Sequence, residues 1–454
     1  MADSAVKFIS VNKHKSNRLT FLSLSLYVSM VLLSFSLYLL PVLLPAHIGT
    51  GYIGLYAGMT VCSLWIWHRG AGDPKHILFL GIVLCLILLP MSALTSNDAE
   101  RYLWDGAVLI SGFDPYITAP NDAAISELRA EWATPEEHAA YSTLYPPGAL
   151  LLFSFSALAG PIYGFWLWKT LAILAAILTL IAAYDLLKQR NALQHFALIG
   201  LSPLLLFETG AAAHVDIFCV LGITAALWCV EKDKIILAGI IIGLAASIKF
   251  LPAVIAGPLL FYLMPRKAAS LFFSASLTWV LIYLVMFGLG YKPLGALPTF
   301  FEKWRGGVHI YPILVAIKES VQMSQKGFMG LLGSLAIFGF SMSAVLAHRR
   351  HIFTAIMAAL ATPLLLTPIL FPWYLMALVP LLALRPNATL IITLALTPLA
   401  YVVLNDWLSQ GLWQPQTWPN RVLCVGIVLG LVIDMSRRYG PAKTDKDLSL
   451  VSAP

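Results

Sequence analysis

Long apolar runs separated by short polar turns set the pattern of the chain. The first run, 20–45, is too long for a signal-peptide core and lacks a small-residue cleavage site, so it predicts an uncleaved helix. The segment before it carries Lys7, Lys13, Lys15 and Arg18, which predicts a cytoplasmic start. A second run, 51–68, ends at the basic turn "HRGAGDPKH", and a third, 77–95, leads away from it. Asp98 is therefore expected to emerge on the extracytoplasmic side. Residues 97–147 are polar, with short amphipathic pieces. "YPPGALLLFSFSALAG" follows; it is short for a span, and its paired prolines break any helix before it, so it predicts an interfacial helix.

The same alternation continues to the end of the chain. Run 162–187 crosses inward to "KQR", 194–208 goes out to "AAAHVD", and 216–231 returns to "EKDK". Residues 235–264 read as two short helices broken at "KFLP" and ending at "PRK". Run 269–290 goes out to "FFEKWRGGVHIYP", 327–347 returns to "HRRH", 352–371 goes out to "FPWY", and 373–385 returns. Run 388–404 goes out and 421–435 returns to "RRYGPAK". At about 20 apolar residues per span, fewer inside a bundle, the runs predict about 12–14 helices. The expected organisation is a cytoplasmic tail (1–19), one transmembrane domain (20–436) with an outer loop and interfacial helix (97–161), and a second cytoplasmic tail (437–454).

Composition supports this reading. Of 454 residues, 59% are hydrophobic and 11% charged. Soluble domains carry about 25% charged residues, so the fold class is an all-α polytopic membrane protein. The net charge of +7 matters less than its distribution. Asp98, Glu100, Asp105, Asp114, Asp122, Glu127, Glu131, Glu136 and Glu137 crowd one segment, opposed only by Arg101 and Arg129, while the basic residues sit in short turns. That is a membrane-topology pattern and argues against a nucleic-acid partner. The five cysteines, Cys62, Cys85, Cys219, Cys229 and Cys424, lie in apolar runs without metal-ligand spacing and read as small buried hydrophobes.

Charged groups in or near lipid are costly enough to mark function by default. Glu208, His214, Asp216 and Lys249 all lie at or near predicted helix ends. His214 and Asp216 either cap the helix over 216–231 or line a site. Lys249 interrupts an apolar hairpin, and a hairpin broken around a charge suits a cavity better than lipid. Lys303 and Arg305 are basic on the side where the other turns are not. If "NDAERYLWDG" is helical, Asp98, Arg101, Tyr102 and Asp105 share one face, with Arg101 able to pair with Asp98 or Asp105. Tyr102, Trp104, Phe113 and Tyr116 are interleaved with these acids. A carboxylate walled by aromatics at a membrane surface can take a proton from a sugar hydroxyl. No HExxH, GxGxxG, P-loop or serine triad is present, and no cytoplasmic domain of any size. Both absences argue against a nucleotide-sugar enzyme.

These residues resemble a family. "NDAERYLWDGAVLISGFDPY" is similar to the first outer loop of GT-C type polytopic glycosyltransferases, above all the bacterial polyprenyl-phosphate-mannose-dependent mannosyltransferases. Their pattern is an Asp, then Arg-Tyr-x-Trp-Asp-Gly, then Gly-x-Asn-Pro-Tyr. "YPP", "HVD", "SIKFLP" and "FPWYLMALVPLLAL" follow in the family's order. Two features depart from it. Asp114 replaces the usual Asn, and two additional helices precede the loop, an even number that preserves its side.

The resemblance implies a GT-C-like bundle in a bacterial inner membrane, with its active site on the extracytoplasmic face. It implies inverting transfer of a sugar, mannose first, from a polyprenyl-phosphate-linked sugar donor to a glycolipid or glycan acceptor among membrane lipids. Asp98 would be the general base, and the loop residues Glu100, Arg101, Trp104, Asp105 and Tyr116 would support it. Lys249, Arg305 and His309 would hold the donor phosphate. Tyr145, His214, Asp216, Trp373 and Tyr374 would line the substrate and lipid pocket, with Trp104 and Tyr116 also shaping it. No cofactor is required by this chemistry, although Asp98 with Glu100 could in principle hold a metal. The alternative is a non-catalytic flippase or transporter of lipid-linked sugars, which needs the groove and the lysine but not an outer carboxylate.

Overall fold

The computed structural model describes residues 2–134, 136–307 and 310–438. The chain is an all-α polytopic membrane protein. Six helices among the described residues are long and apolar enough to cross a membrane: Leu22–Leu43, Gly160–Gln189, Pro265–Gly288, Gln325–His348, Ala388–Gln410 and Trp418–Arg437. Six shorter apolar helices accompany them among the described residues, including Pro74–Leu88, Ile235–Ile248, Leu251–Tyr262 and Pro372–Leu384. The first helix, Ala2–Leu43, extends well ahead of the apolar run that opens at 20. Helix Ile48–Arg69 presents Tyr52, Tyr56, Met59, Cys62, Ser63 and Ile66 to the core at helical spacing.

Local chemistry sets the helix ends. Asp73 caps Pro74–Leu88 by accepting from the Lys75 amide at 2.7 Å, with Pro74 at the first helical position. Asp434 reaches across from the last helix and accepts from the Ala388 and Thr389 amides at 2.7 and 2.9 Å. The expected single run 194–208 is instead two pieces, Ala197–Gly200 and Pro203–Gly210. Pro203 cannot donate to the preceding turn, so a new helix starts there, capped by Ser202. Pro398 has the corresponding effect, turning the end of Ala388–Leu396 into a 3-10 segment, Thr397–Val403.

Two ends of the bundle differ in chemistry. Helix Gly160–Gln189 has 30 residues, ~45 Å at 1.5 Å per residue. Near its start, Gly164 lies under Leu103 and Trp132 of the polar segment. At its finish, Arg190 pairs with Glu231 at 3.0 Å and lies 4.5 Å from the Phe353 ring. Lys232 pairs with Asp185, Lys267 with Asp233, and Arg350 donates to the Tyr262 carbonyl, so the basic turns meet one another at that end. At the other end the polar segment meets the 296–305 loop: the Ala296 amide donates to the Thr143 carbonyl at 3.0 Å, and the Tyr141 and Trp304 rings are 4.6 Å apart.

The polar segment has its own small core. Helix Asp98–Ile110 forms as expected, and Pro147 starts the helix Pro147–Ala157. The two touch backbone to backbone: a Cβ on Gly106 would lie 2.4 Å from the Phe153 carbonyl carbon, so only glycine fits. Tyr102 stacks on Phe153 at 4.6 Å, and Trp168 closes the cluster. Leu151 and Phe155 on the far face of Pro147–Ala157, and Leu158 just beyond it, remain exposed.

Arg101 is 8% exposed and is fully engaged. It donates to Asp105 at 2.8 Å, to the His138 carbonyl at 3.0 Å and to the Tyr141 carbonyl at 2.7 Å. The second Asp105 oxygen accepts from Thr143 at 2.6 Å. Burial holds the Asp105 carboxyl above the ordinary carboxylate range, against the opposing pull of Arg101 and Thr143.

Three outcomes are expected. Single cysteines at 122 and at 349 should be labelled by a membrane-impermeant thiol reagent from opposite sides; labelling of both in intact cells would refute the arrangement. Asp105→Ala leaves a buried guanidinium unpaired and should cost about 3–5 kcal/mol, read as a lower thermal midpoint in detergent. Asp98→Asn should leave that midpoint nearly unchanged.

Candidate active site

A cavity of about 830 Å³ opens where the polar segment, the broken hairpin, the 296–305 loop and the "FPWY" segment converge. Asp98 lies on its wall at the first turn of Asp98–Ile110, with its side chain 25% exposed. Its amide donates to Ser96 Oγ at 3.0 Å, and the Tyr102 hydroxyl donates to its Oδ2 at 3.3 Å. Arg101 turned away from Asp98 to Asp105, which resolves the pairing left open by spacing. Glu100 is exposed and lies outside the cavity lining, because residue 100 points away from 98 on the helix.

Lys249 ends helix Ile235–Ile248 and faces the same cavity. Its Nζ donates to Asp216 Oδ1 at 2.7 Å and sits 4.0 Å over the Tyr374 ring. The lysine thus rests in a neutral pair on an aromatic face, with donor capacity to spare. Asp216 keeps Oδ2 without a hydrogen-bond partner. Arg305 lines the outer rim, anchored to the Phe301 and Trp304 carbonyls at 3.2 and 2.7 Å. His309 lies outside the described residues.

The aromatic wall runs from Tyr145 through Tyr374 and Trp373 to Phe371, which stacks on Trp373 at 4.6 Å and 10°. Trp373 stacks in turn on His214 at 3.9 Å. His214 is fully buried behind this wall and does not itself line the cavity. Three expectations are corrected here, that for His214 being the first. Trp104 and Tyr116 were expected to shape the pocket, yet Trp104 is 0% and Tyr116 3% exposed, and neither reaches the cavity. They belong to the small core beneath it, where a large ring fills volume that the short helices Asp98–Ile110 and Pro147–Ala157 leave between them.

The cavity also uses residues that sequence reasoning passed over. Tyr141 and Trp304 form one side, and Trp407 and Trp413 the far end. Aromatics at both flanks of "NDWLSQGLW" were the available signal. Lys169 was hidden in an apolar run: it is fully buried and donates to the Met91 carbonyl, satisfying the chain where helix Pro74–Leu88 ends. Among the described residues, no group of three or more His, Cys, Asp or Glu side chains is placed to hold a metal ion.

Comparison with known proteins adds one finding. No curated protein matches the chain. Residues 143–310 match the model of glycosyltransferase family 87, a stretch that contains Tyr145, His214, Asp216, Lys249 and Arg305 and stops short of Asp98 on one side and Trp373 on the other. This match supports glycosyltransferase activity for a chain whose helices make it an integral membrane protein.

Proposed function

We propose that the protein transfers a sugar, mannose as the first candidate, from a polyprenyl-phosphate sugar to a glycolipid or glycan acceptor at the extracytoplasmic face of the membrane. The observation that carries this reading is the shared cavity: a carboxylate, a lysine and an aromatic wall face one space at the end of the bundle away from the basic turns. A polyprenyl donor keeps its tail in the bilayer and presents one phosphodiester and one sugar at the surface.

Asp98 takes the proton from the acceptor hydroxyl as the oxygen lone pair attacks the anomeric carbon. The bond from that carbon to the phosphate oxygen breaks, and its electron pair leaves with the polyprenyl phosphate. The anomeric configuration inverts because the attack is from the opposite face. Negative charge grows on the phosphate as the bond breaks, so a cation beside it stabilises the transition state more than the ground state. Lys249 fits this role, since Asp216 occupies one of its three donors and the Tyr374 ring supports the ammonium from one side. Arg305 is the second cation on the rim. Tyr374, Trp373 and Tyr145 stack the sugar and the first isoprene units.

Turnover of a short-chain polyprenyl-phosphate mannose by purified protein in detergent, where sidedness is lost, tests the reading against a flippase, which would consume none. Asp98→Asn should lower kcat by ~10²–10⁴-fold with normal insertion and purification. Glu100→Gln should cost far less; if it were the inactive variant, the base would be misassigned. Lys249→Met should lower kcat more than it raises the donor KM, and Trp373→Ala should do the reverse. Normal kcat in both Lys249→Met and Arg305→Ala would move the phosphate elsewhere.

A further inference from the structure

Behind Asp98 lies a buried acid–imidazole pair that the transfer step does not use. His214 is 0% exposed, and its Nε2 is 3.7 Å from Asp98 Oδ2 while its Nδ1 is 3.0 Å from Glu208 Oε2. Neither nitrogen has the alignment of a hydrogen bond, so the ring sits between two carboxylates without committing to either. Glu208 is also 0% exposed. The Tyr401 hydroxyl donates to its Oε2 at 2.7 Å and the Tyr52 hydroxyl to its Oε1 at 3.4 Å.

The ring is held in place from three directions. Trp373 stacks on its face. The His214 amide donates to the Glu208 carbonyl at 3.0 Å, closing the turn on which both residues lie. Ala213 takes φ 59° to make that turn, and its carbonyl is fixed by the Trp168 indole at 2.9 Å. A purely structural histidine would be expected to spend its ring nitrogens on backbone partners. This one is aimed at the proposed base.

We propose that Glu208 and His214 form a proton-holding relay behind Asp98, an inference that rests on the function proposed above. After Asp98 takes the acceptor proton, its O–H bond breaks and an Nε2–H bond forms on His214, with Glu208 balancing the imidazolium. No electrons are gained or lost. Closing the 3.7 Å gap to hydrogen-bond length needs less than 1 Å of motion. Removing the proton from Asp98 prevents its return to the acceptor oxygen and clears the base for the next acceptor. The proton leaves by the reverse path, through Asp98 to the open cavity, once product has gone.

The other groups near the relay are accounted for. Asp216 and Lys249 neutralise each other at 2.7 Å. Tyr102 faces Asp98 and donates to it. Tyr145 and Tyr374 lie on the cavity side of Asp98, and Tyr52 and Tyr401 on the far side of Glu208. His214 is the one imidazole among them.

The test measures release of polyprenyl phosphate from radiolabelled polyprenyl-phosphate mannose, with membrane lipid extract as acceptor, in full-length protein. Wild-type kcat should not change as imidazole buffer is raised at fixed pH and ionic strength. Glu208→Gln leaves His214 stacked on Trp373, and should lower kcat by about 10- to 100-fold with the donor KM unchanged. That lost rate should return as imidazole is raised, because small buffer bases reach the cavity-facing side of Asp98. His214→Gln should behave the same way; if it does not purify, Glu208→Gln decides. Normal kcat in Glu208→Gln, or a loss that imidazole does not relieve, would overturn the relay. An inactive wild type would instead overturn the proposed donor, and an active Asp98→Asn protein the proposed base.

Discussion

A guanidinium at a membrane surface cannot be buried with donors unused, and the site is organised by how Arg101 meets that constraint. Its partners are one carboxylate and two main-chain carbonyls from 37 and 40 residues further on. Burying it therefore folds the polar segment back over its own helix. Tyr141 is fixed in consequence, Trp304 packs on Tyr141, and the 296–305 loop is drawn in as the cavity's outer side. Burial pushes the Asp105 carboxyl toward its neutral form, and the pairing with Arg101 and Thr143 opposes that push. Asp98 is left free of this staple, exposed to the cavity and held only by lighter contacts.

Much of this arrangement was legible because it depends on spacing. The 98, 101, 102, 105 face is a property of the helix, and the only open point was which acid Arg101 would choose. Lys249 was legible as an interruption in an apolar hairpin. The two ends of the bundle were legible from basic turns, since those turns do meet one another in space. Aromatic residues were less informative. Trp104 and Trp373 look alike in sequence, yet one fills a core and the other faces a cavity, a difference set by which helices meet, not by local pattern. Glu208 and His214 stand six residues apart, one near the end of the proline-started helix Pro203–Gly210 and the other in the turn that follows it. Nothing in that spacing announces that a left-handed alanine brings imidazole and carboxylate face to face.

The buried charges also divide by what surrounds them. Lys169 serves a carbonyl and has no carboxylate beside it, which suits a group that closes a helix end. Lys249 keeps a carboxylate and an aromatic face beside it while opening to a cavity. Two lysines in comparably apolar helices thus have opposite designs, and hydropathy cannot separate them.

The outer loop is joined to the aromatic segment by the smallest sheet possible, Gly306–Gly307 beside Ile369–Leu370 in parallel. Gly307 sits at φ 85°, and a Cβ there would overlap the Leu370 carbonyl at 1.7 Å. Gly307 therefore meets main chain directly, while Ile369 and Leu370 on the partner strand bury their side chains. Trp304 before it packs on Tyr141 and Phe371 after it stacks on Trp373, so the seam joins two aromatic clusters at the cavity. Any Cβ at Gly307 would part the two strands, so this one glycine keeps both clusters at the same cavity.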